Sequence, residues 1–363
     1  MEKEKNPYSR QPGKAFWASA VAGRHPFELT EMYTKKFEIG DAPIATAGSC
    51  FAQHVGRYIK ERNFNFLDEE LAPPHLPLQL HSSYGYGLYS ARYGNVYTVR
   101  QLLQLFQRAF GEYTPVENYW SAKNGYVDPF RPSIEPTPFV SVEEALELQT
   151  FHLNRVQKVF EDCRVFIFTL GLTEAWINRE DGAVYPVVPG SRAGGIFDAS
   201  RYVFHNFTYP EIMTDLERFH RCLHTINPEC KIILTVSPVS LAATGTANHI
   251  VSAAMYSKSV LRAVAGDFAT VHQDVDYFPS YDIITSPASL SYHFMPDRRT
   301  IAAVGIDMVM EFFFREHFSN EFCAAETEIV SPLPSLHVIF PQADEEEICD
   351  EKFFAELMNE TIK

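Results

Sequence analysis

The feature that most constrains the fold is a short apolar run. Such runs recur along the chain between segments whose apolar residues are spaced as in a helix. Residues 164–170 (RVFIFTL) and 231–236 (KIILTV) contain few polar residues and are rich in β-branched or aromatic side chains. Such runs are typical of strands that are buried on both faces of a parallel sheet. Residues 43–47 and 268–275 are two further candidates. The sequence therefore predicts four strands of this kind.

Helical segments separate these strands and decide how the sheet is covered. Apolar periodicity and capping signals predict a helix after residue 50 and helices at 99–110, 141–159, 209–226, 249–265 and 300–314. Strands that alternate with helices are typical of a parallel sheet with helices on both faces. We therefore predict an α/β fold with three layers, α/β/α.

Several stretches lie outside this alternation. Residues 1–41 contain prolines and aromatic residues without periodicity, and we interpret them as an arm that lies on the domain. Within a domain at 42–317, Pro- and Tyr-rich insertions are expected at 63–98 and 112–140, and a loop or hairpin excursion at 178–209. Residues 318–363 contain the acidic run DEEEICDE and are expected to form a peripheral tail, with a short helix at 350–359.

Composition argues against several classes of function. The formal net charge is −15 over 363 residues, which argues against a nucleic-acid partner because phosphate binding needs clustered Lys and Arg. No apolar run reaches the roughly 18 residues of a membrane span. The first residues lack the apolar segment of a secretory signal, and six dispersed cysteines form no C-x-x-C pair. We therefore expect a cytoplasmic protein with reduced thiols.

Residues 42–58 (APIATAGSCFAQHVGRY) place a serine between a predicted strand and a predicted helix. Ser49 follows Gly48 in what we interpret as a sharp turn. Its hydroxyl is expected at the carboxyl edge of the sheet, where open α/β sheets form clefts and helix N–H groups can hold an anion. That position suits a nucleophile. A Gly-Ser turn that only caps a helix has the same pattern, so both interpretations stay open.

Polar residues follow the other predicted strands as well. They are Thr173, Glu174, Ser237, Asp274 and Asp276. Because parallel strands end at one edge, these groups are expected to converge with Ser49, and such convergence is typical of a functional site.

Several ordered blocks of the chain resemble one protein family. Residues 48–52 spell GSCFA, the signature of the GSCFA family, a branch that looks like the SGNH/GDSL hydrolases. The further blocks are SARYGNVYT (90–98), VDPFRP (127–132), TLGLTEAW (169–176), TVSPV (235–239), YSKSVLRA (256–263) and YFPSYDI (277–283). The resemblance covers about residues 42–314 and implies a flavodoxin-like, SGNH hydrolase-type parallel sheet.

This resemblance implies roles for individual residues. Ser49 stands at the position of the nucleophile, and its backbone N–H would be one oxyanion donor. Gly94 resembles the glycine of the second block, with Asn95 beside it as a side-chain donor. In the third block, usually Gly-x-Asn-Asp, Thr173 replaces the asparagine and Glu174 follows it.

The fifth block departs from the pattern of the resembled enzymes, which carry Asp-x-x-His before the last helix. Here Asp297 is present, but Thr300 occupies the position of the histidine. A serine hydroxyl is a poor nucleophile without a base. His249 and His293 are the leading candidates for that base, and His54 and His205 are weaker alternatives.

Two further side chains have alternative interpretations. Cys50 lies at a predicted helix N-terminus, which lowers the pKa of a thiol, so it is an alternative nucleophile or a buried packing residue. Arg131, in the motif DPFRP, is expected either to pair with Asp128 or to bind an anionic group of a substrate.

These residues lead to two functional hypotheses. The first is an SGNH-like serine esterase or O-acyltransferase whose substrate is a small-molecule or carbohydrate ester, with acetyl as the favoured acyl group. The second is a carbohydrate- or partner-binding protein that has kept the fold and lost the catalytic triad. A metal-dependent hydrolase is not indicated, because neither H-E-x-x-H nor clustered His/Asp ligand spacing is evident, and no metal or cofactor is expected.

Overall fold

The computed structural model describes residues 6–191 and 193–318. The predicted tail beyond residue 318, with its helix at 350–359, lies outside the described residues. The strands, in chain order, are β1 (Ile44–Gly48), β2 (Trp120–Ala122), β3 (Gly125–Val127), β4 (Val165–Leu170), β5 (Glu174–Asn178), β6 (Val184–Tyr185), β7 (Tyr202–Asn206), β8 (Lys231–Val236) and β9 (Val275–Phe278). The α-helices are α1 (Trp17–Ala20), α2 (Phe51–Glu61), α3 (Val99–Ala109), α4 (Val142–Asp162), α5 (Tyr209–Ile226), α6 (Ile250–Val271), α7 (Ser280–Thr285) and α8 (Ala303–His317).

The central sheet has four parallel strands in the order β1-β4-β8-β9. One row across the sheet joins Thr46, Ile167, Ile233 and Asp276. All residues of β1 and β4 are buried, and in β8 only Lys231 is half-buried. Strands without a polar face require cover on both sides of the sheet, as the sequence predicts.

Helices on the two faces build two separate hydrophobic cores. The side chains of β4 alternate between them: Phe166 and Phe168 pack on one face, and Val165 and Ile167 pack on the other. Helices α3, α4, α5 and α6 supply the first core, whereas α2, α7 and α8 supply the second. The predicted three-layer α/β/α architecture is confirmed.

The fourth predicted strand is displaced along the chain. Residues 268–271 belong to α6, and β9 begins only at Val275. The reason is helical periodicity, because Val264, Ala265 and Phe268 are buried on one continuous face, and the helix runs through Gly266 without ending there. Asp274 therefore precedes β9 and lies at the amino edge of the sheet, contrary to the predicted convergence with Ser49.

Small antiparallel units surround the sheet. The segment 112–140 contains the hairpin β2–β3, and the excursion at 178–209 contributes to a three-stranded sheet ordered β6-β5-β7. The N-terminal segment packs on the second core, where Tyr33 donates a hydrogen bond of 2.8 Å to Asp276. Among the described helices, none has both the length and the apolar character that a bilayer crossing requires.

Candidate active site

Ser49 lies in a tight junction between β1 and α2, as the sequence predicts. Gly48 ends β1 with φ = 141°, and a Cβ at this position would lie 2.4 Å from the carbonyl oxygen of Thr169 on β4. Only glycine fits this close approach without movement of the backbone. The strand therefore turns within two residues, Ser49 and Cys50, before α2 begins at Phe51.

The Ser49 side chain is buried without a polar partner in the described part of the chain. It is 3% exposed, and among the described residues its Oγ makes no hydrogen bond. A buried hydroxyl without a partner costs free energy, which makes it a candidate for a functional role. A cavity borders it, lined by Ser49, Cys50, Tyr97, Gly171, Leu172, Ser237, Val239, Ser240 and Lys258. Gly171 and Ser237 follow the carboxyl ends of β4 and β8, so the cavity lies at the predicted edge of the sheet.

The backbone N–H of Ser49 is engaged in the sheet in this conformation. It donates to the carbonyl oxygen of Thr169 at 3.1 Å. We predicted this N–H as an oxyanion donor, and in that role it would have to leave Thr169. At the start of α2, the N–H groups of Ala52 and Gln53 are also engaged, because they donate to the carbonyl oxygens of Ser49 and Cys50 at 2.8 and 3.0 Å.

Lys258 of α6 provides a cationic group in the same cavity. Its Nζ donates a hydrogen bond of 2.7 Å to the carbonyl oxygen of Gly171. Gly171 in turn abuts the serine, since a Cβ added to it would lie 3.0 Å from Ser49 Cβ. Burial lowers the pKa of Lys258 to about 7, the Cys50 thiol opposes this shift, and the Arg299 guanidinium adds to it. At neutral pH a large share of this amine is therefore uncharged and can accept a proton.

Gly94 and Asn95 line a different cavity from the one that borders Ser49. Gly94 has φ = 66°, and this cavity also contains Gln53 and Tyr89. Asn95 Oδ1 accepts a hydrogen bond of 2.6 Å from the Tyr89 hydroxyl, which is also 3.3 Å from the carbonyl oxygen of Ser49. Asn95, in the second block of the family pattern, is therefore linked to the Ser49 backbone through Tyr89.

Thr173 and Glu174 are not among the described residues that line the cavity at Ser49. Thr173 is fully buried, its N–H donates to the Ser257 hydroxyl at 3.0 Å, and among the described residues its own hydroxyl has no partner. The Glu174 carboxylate accepts hydrogen bonds from the Thr244 hydroxyl at 2.7 Å and from the Gly245 N–H at 3.0 Å. Glu174 thus anchors the loop before α6, and the part of Ser49's cavity that the structure describes is lined by neither residue.

The two leading histidine candidates are not among the residues that line the described cavity at Ser49. His249 is exposed and caps α6, with Nδ1 accepting from the Val251 N–H at 3.2 Å. His293 is fully buried, and its ring contacts that of Phe27 with centroids 5.7 Å apart. Burial lowers the pKa of His293. Their roles as bases stay a prediction.

Asp297 is bound to the threonine that replaces the histidine. Its carboxylate accepts a hydrogen bond of 2.6 Å from the Thr300 hydroxyl and bonds of 3.0 Å from the N–H groups of Arg299 and Thr300. Burial raises the pKa of Asp297, but these hydrogen bonds and the Arg299 guanidinium together outweigh it and hold the pKa below its usual value. The aspartate closes its own turn by these contacts, the local arrangement that Asp commonly adopts in loops.

Arg131 forms the ion pair that the sequence suggested. Its Nε lies 2.8 Å from Asp128 Oδ2, and its other donors bond to the carbonyl oxygens of Arg92 and Leu148 at 3.1 and 3.3 Å. Both partners of the pair are almost fully buried. Arg131 and Asp128 line a further cavity with Arg108 and His152, separate from that of Ser49.

Sequence reasoning missed Lys258, although a signal was present. The residue lies within the block YSKSVLRA, at helical spacing from Ala254 and Leu261 on the buried face of α6. A lysine at a core position of a helix is uncommon and needs a reason. Only the packing of α6 against the end of β4 brings its amine to Gly171.

Comparisons with known proteins identify the family. A model described as the GSCFA family matches residues 43–313. No curated protein matches the chain by sequence. Among solved structures, a Clostridium thermocellum family 3 carbohydrate esterase has 9% identity and a TM-score of 0.33, with 78% of this chain and 98% of that chain covered. A mutant acetyl esterase with acetate ion has 9% identity and a TM-score of 0.31, with 78% and 97% covered.

Proposed function

Because the chain belongs to the GSCFA family, we propose that it is a serine esterase or O-acyltransferase of the SGNH-like kind, with Ser49 as the nucleophile. The observation that carries the proposal is the buried Ser49 hydroxyl, which has no partner among the described residues and shares its cavity with Lys258. The cavity lies at the carboxyl edge of a parallel sheet, where active sites of open α/β folds form.

Lys258 takes the place of the histidine base in this proposal. A neutral amine has two N–H groups and one lone pair, so it can keep its bond to Gly171 O and still accept a proton. Its pKa of about 7 matches the operating range of a general base. Serine–lysine pairs are a known variant of the serine triad.

The reaction proceeds in two steps. Lys258 removes the proton from Ser49 Oγ as the oxygen attacks the ester carbonyl, and a tetrahedral oxyanion forms. The oxyanion collapses, the bond to the alcohol breaks, and the protonated Lys258 returns its proton to that alcohol. The acyl group then lies on Ser49, and water or an acceptor hydroxyl removes it by the same route. Water makes the protein an esterase, and an acceptor hydroxyl makes it an acyltransferase.

The lining of the cavity favours a short acyl group. Tyr97, Leu172 and Val239 surround the serine with apolar surface, and the serine itself is only 3% exposed. An acetyl group is the smallest common acyl group that fits this description, in line with the carbohydrate acetyl esters that the SGNH resemblance implies. We therefore propose acetyl esters of carbohydrates as the substrate class.

A second candidate function rests on the loop at Asp297. Its carboxylate bonds to Thr300 rather than to a histidine, so the acid–base pair of the resembled enzymes is absent from this described loop. If Lys258 does not act as the base, the protein is a carbohydrate- or partner-binding member of the family that has lost catalysis.

The proposal is tested with p-nitrophenyl acetate and an acetylated oligosaccharide as substrates. We expect Ser49→Ala to abolish turnover and labelling by a fluorophosphonate, and Cys50→Ala to keep both. The reverse result would identify Cys50 as the nucleophile. Absence of turnover and labelling in the wild-type protein, together with binding of the oligosaccharide, would favour the second function.

Variants of two histidines test whether a histidine, and not Lys258, is the general base. His249→Ala and His293→Asn are compared with Lys258→Met in the same assay. We expect only the lysine variant to lose activity by roughly 10²-fold or more, the usual contribution of a general base. A comparable loss in one histidine variant that is still folded would assign the base to that histidine.

A further inference from the structure

Three histidines and an aspartate converge at the edge of the sheet opposite to Ser49. His220 and His224 lie one turn apart on α5, His272 ends α6, and Asp274 immediately precedes β9. Ser49 follows the carboxyl end of β1, whereas Asp274 precedes the amino end of a parallel strand. The cluster is therefore separate from the candidate active site.

Distances within the cluster are close to those of a metal site. His220 Nε2 and His224 Nε2 lie 2.7 and 3.0 Å from the same oxygen, Asp274 Oδ2. One ligand atom from each of His220, His272 and Asp274 lies within 4.8 Å of the other two. Ligand atoms around zinc, at bonds of about 2.0–2.2 Å, are about 3.3 Å apart. Small rotations of these side chains are enough to place all three on one ion.

The three imidazole rings are packed against one another. The ring centroid of His220 lies 4.2 Å from that of His224 and 4.4 Å from that of His272. Imidazole nitrogens are common ligands of transition metals, so the packing gathers several such donors beside Asp274.

The cluster is also preorganised by its surroundings. The carbonyl oxygen of Asp274 accepts a hydrogen bond of 2.9 Å from the Ile232 N–H of β8, which holds the backbone of the aspartate in the sheet. His272 Nε2 lies 3.0 Å from Glu217 Oε1. Carboxylates that orient a histidine in this way are common around metal ligands.

We propose that His220, His272 and Asp274 bind one divalent transition-metal ion, with His224 as an adjacent further ligand. Two imidazole nitrogens and one carboxylate oxygen match Zn²⁺, Co²⁺ and Ni²⁺, whereas Ca²⁺ and Mg²⁺ take oxygen ligands. The ion joins the C-terminal half of α5 to the turn between α6 and β9. Because it lies away from Ser49, its function is to stabilise the fold.

The sequence shows no clustered ligand spacing because the ligands come in two pairs that are far apart in the chain. His220-x-x-x-His224 and His272-x-Asp274 are separated by β8 and α6. Each pair alone is too short a pattern to indicate a metal. The β8–α6–β9 connection, packed against α5, brings them together.

The test uses Zn²⁺ alone as the probe. Full-length protein is treated with a chelator, dialysed, and titrated with Zn²⁺ by calorimetry and by thermal unfolding. We expect one ion per chain with a Kd of micromolar or tighter, and a rise in Tm of several degrees on saturation, because an ion that binds only the folded state stabilises it. No binding at 100 μM Zn²⁺ would overturn the proposal.

Variants locate the ion. His220→Asn with His272→Asn, and separately Asp274→Asn, are expected to weaken Zn²⁺ binding at least tenfold and to remove the rise in Tm. His205→Asn is the matched control, because His205 also pairs with a carboxylate, Glu211, at 2.9 Å but lies outside the cluster. Binding that persists unchanged in the folded double variant would overturn the proposal. Asp274→Asn is nearly isosteric and covers the case in which the double variant does not fold.

Discussion

Lys258 Nζ donates a hydrogen bond of 2.7 Å to the carbonyl oxygen of Gly171, the residue whose Cα abuts Ser49. This contact fixes a buried amine beside the serine without using its lone pair. The pKa of this lysine is low because burial disfavours its charge and, among the described residues, the Cys50 thiol opposes that effect only in part. The same contact predicts how activity and stability depend on pH.

Activity is expected to rise with pH through about 7 and then to level off. Only the neutral amine accepts the serine proton, and the pKa of Lys258 is lowered to about 7. The rise is measured as the dependence of kcat/KM on pH with p-nitrophenyl acetate as the substrate. In Lys258→Met we expect kcat/KM to be lower by roughly 10²-fold or more and to show no rise near pH 7.

Lys258→Arg is the control that separates a base from a fixed cation. Arginine keeps a positive charge and hydrogen-bond donors but does not deprotonate in this pH range. We expect this variant to be as inactive as Lys258→Met. If it retained activity, Lys258 would act by its charge, and the base would have to be sought elsewhere.

The stability of the fold is expected to depend on pH through the same lysine. In the folded state its pKa is about 7, against 10.5 for an exposed lysine, so the unfolded chain binds more protons between these values. The free energy of unfolding therefore rises as pH rises from about 7 to 10, by about 1.4 kcal/mol per unit from this group. Urea unfolding of wild type and Lys258→Met at pH 7, 8 and 9 gives the difference. Parallel profiles would show that the pKa is not lowered.

Much of the fold was predictable because burial on two faces leaves a strong pattern. The runs at 164–170 and 231–236 coincide with β4 and β8 to within one residue. The prediction of β9 was wrong because the apolar residues 268–271 continue the face of α6, and local sequence cannot distinguish a buried helix end from a short buried strand.

The candidate site was predictable only in part. Ser49 was found because its glycine-serine turn is a local signal. Lys258 and the cluster at Asp274 were missed because their partners come from distant segments and meet only through helix packing. The histidine candidates come from a pattern in the resembled enzymes, whereas the signal for Lys258 is only that a lysine occupies a core position of α6.

Gly171→Ala is expected to impair catalysis more than stability. Its Cβ would lie 3.0 Å from Ser49 Cβ and 3.1 Å from Tyr97, so the serine has to shift by a few tenths of an ångström. A displacement of this size moves the nucleophile away from its reactive position and lowers the rate strongly. We therefore expect kcat to fall by roughly tenfold or more. The matched control is Gly13→Ala, whose Cβ would make only an ordinary contact of 3.7 Å with Ser19. Unchanged kcat in a folded Gly171→Ala protein would argue against Ser49 as the reacting group.

Arg131 is expected to act on stability and not on substrate binding. Its donors are already bonded to Asp128 and to two carbonyl oxygens, and Arg131→Met would leave the Asp128 carboxylate buried without its partner. Loss of one member of a buried pair costs about 3–5 kcal/mol, whereas removal of both costs much less. Stability is measured by urea unfolding of Arg131→Met, Asp128→Asn and the double variant. We expect the double variant to lose less stability than the two single variants lose together. A raised KM at unchanged stability in Arg131→Met would instead assign the arginine to an anionic group of the substrate.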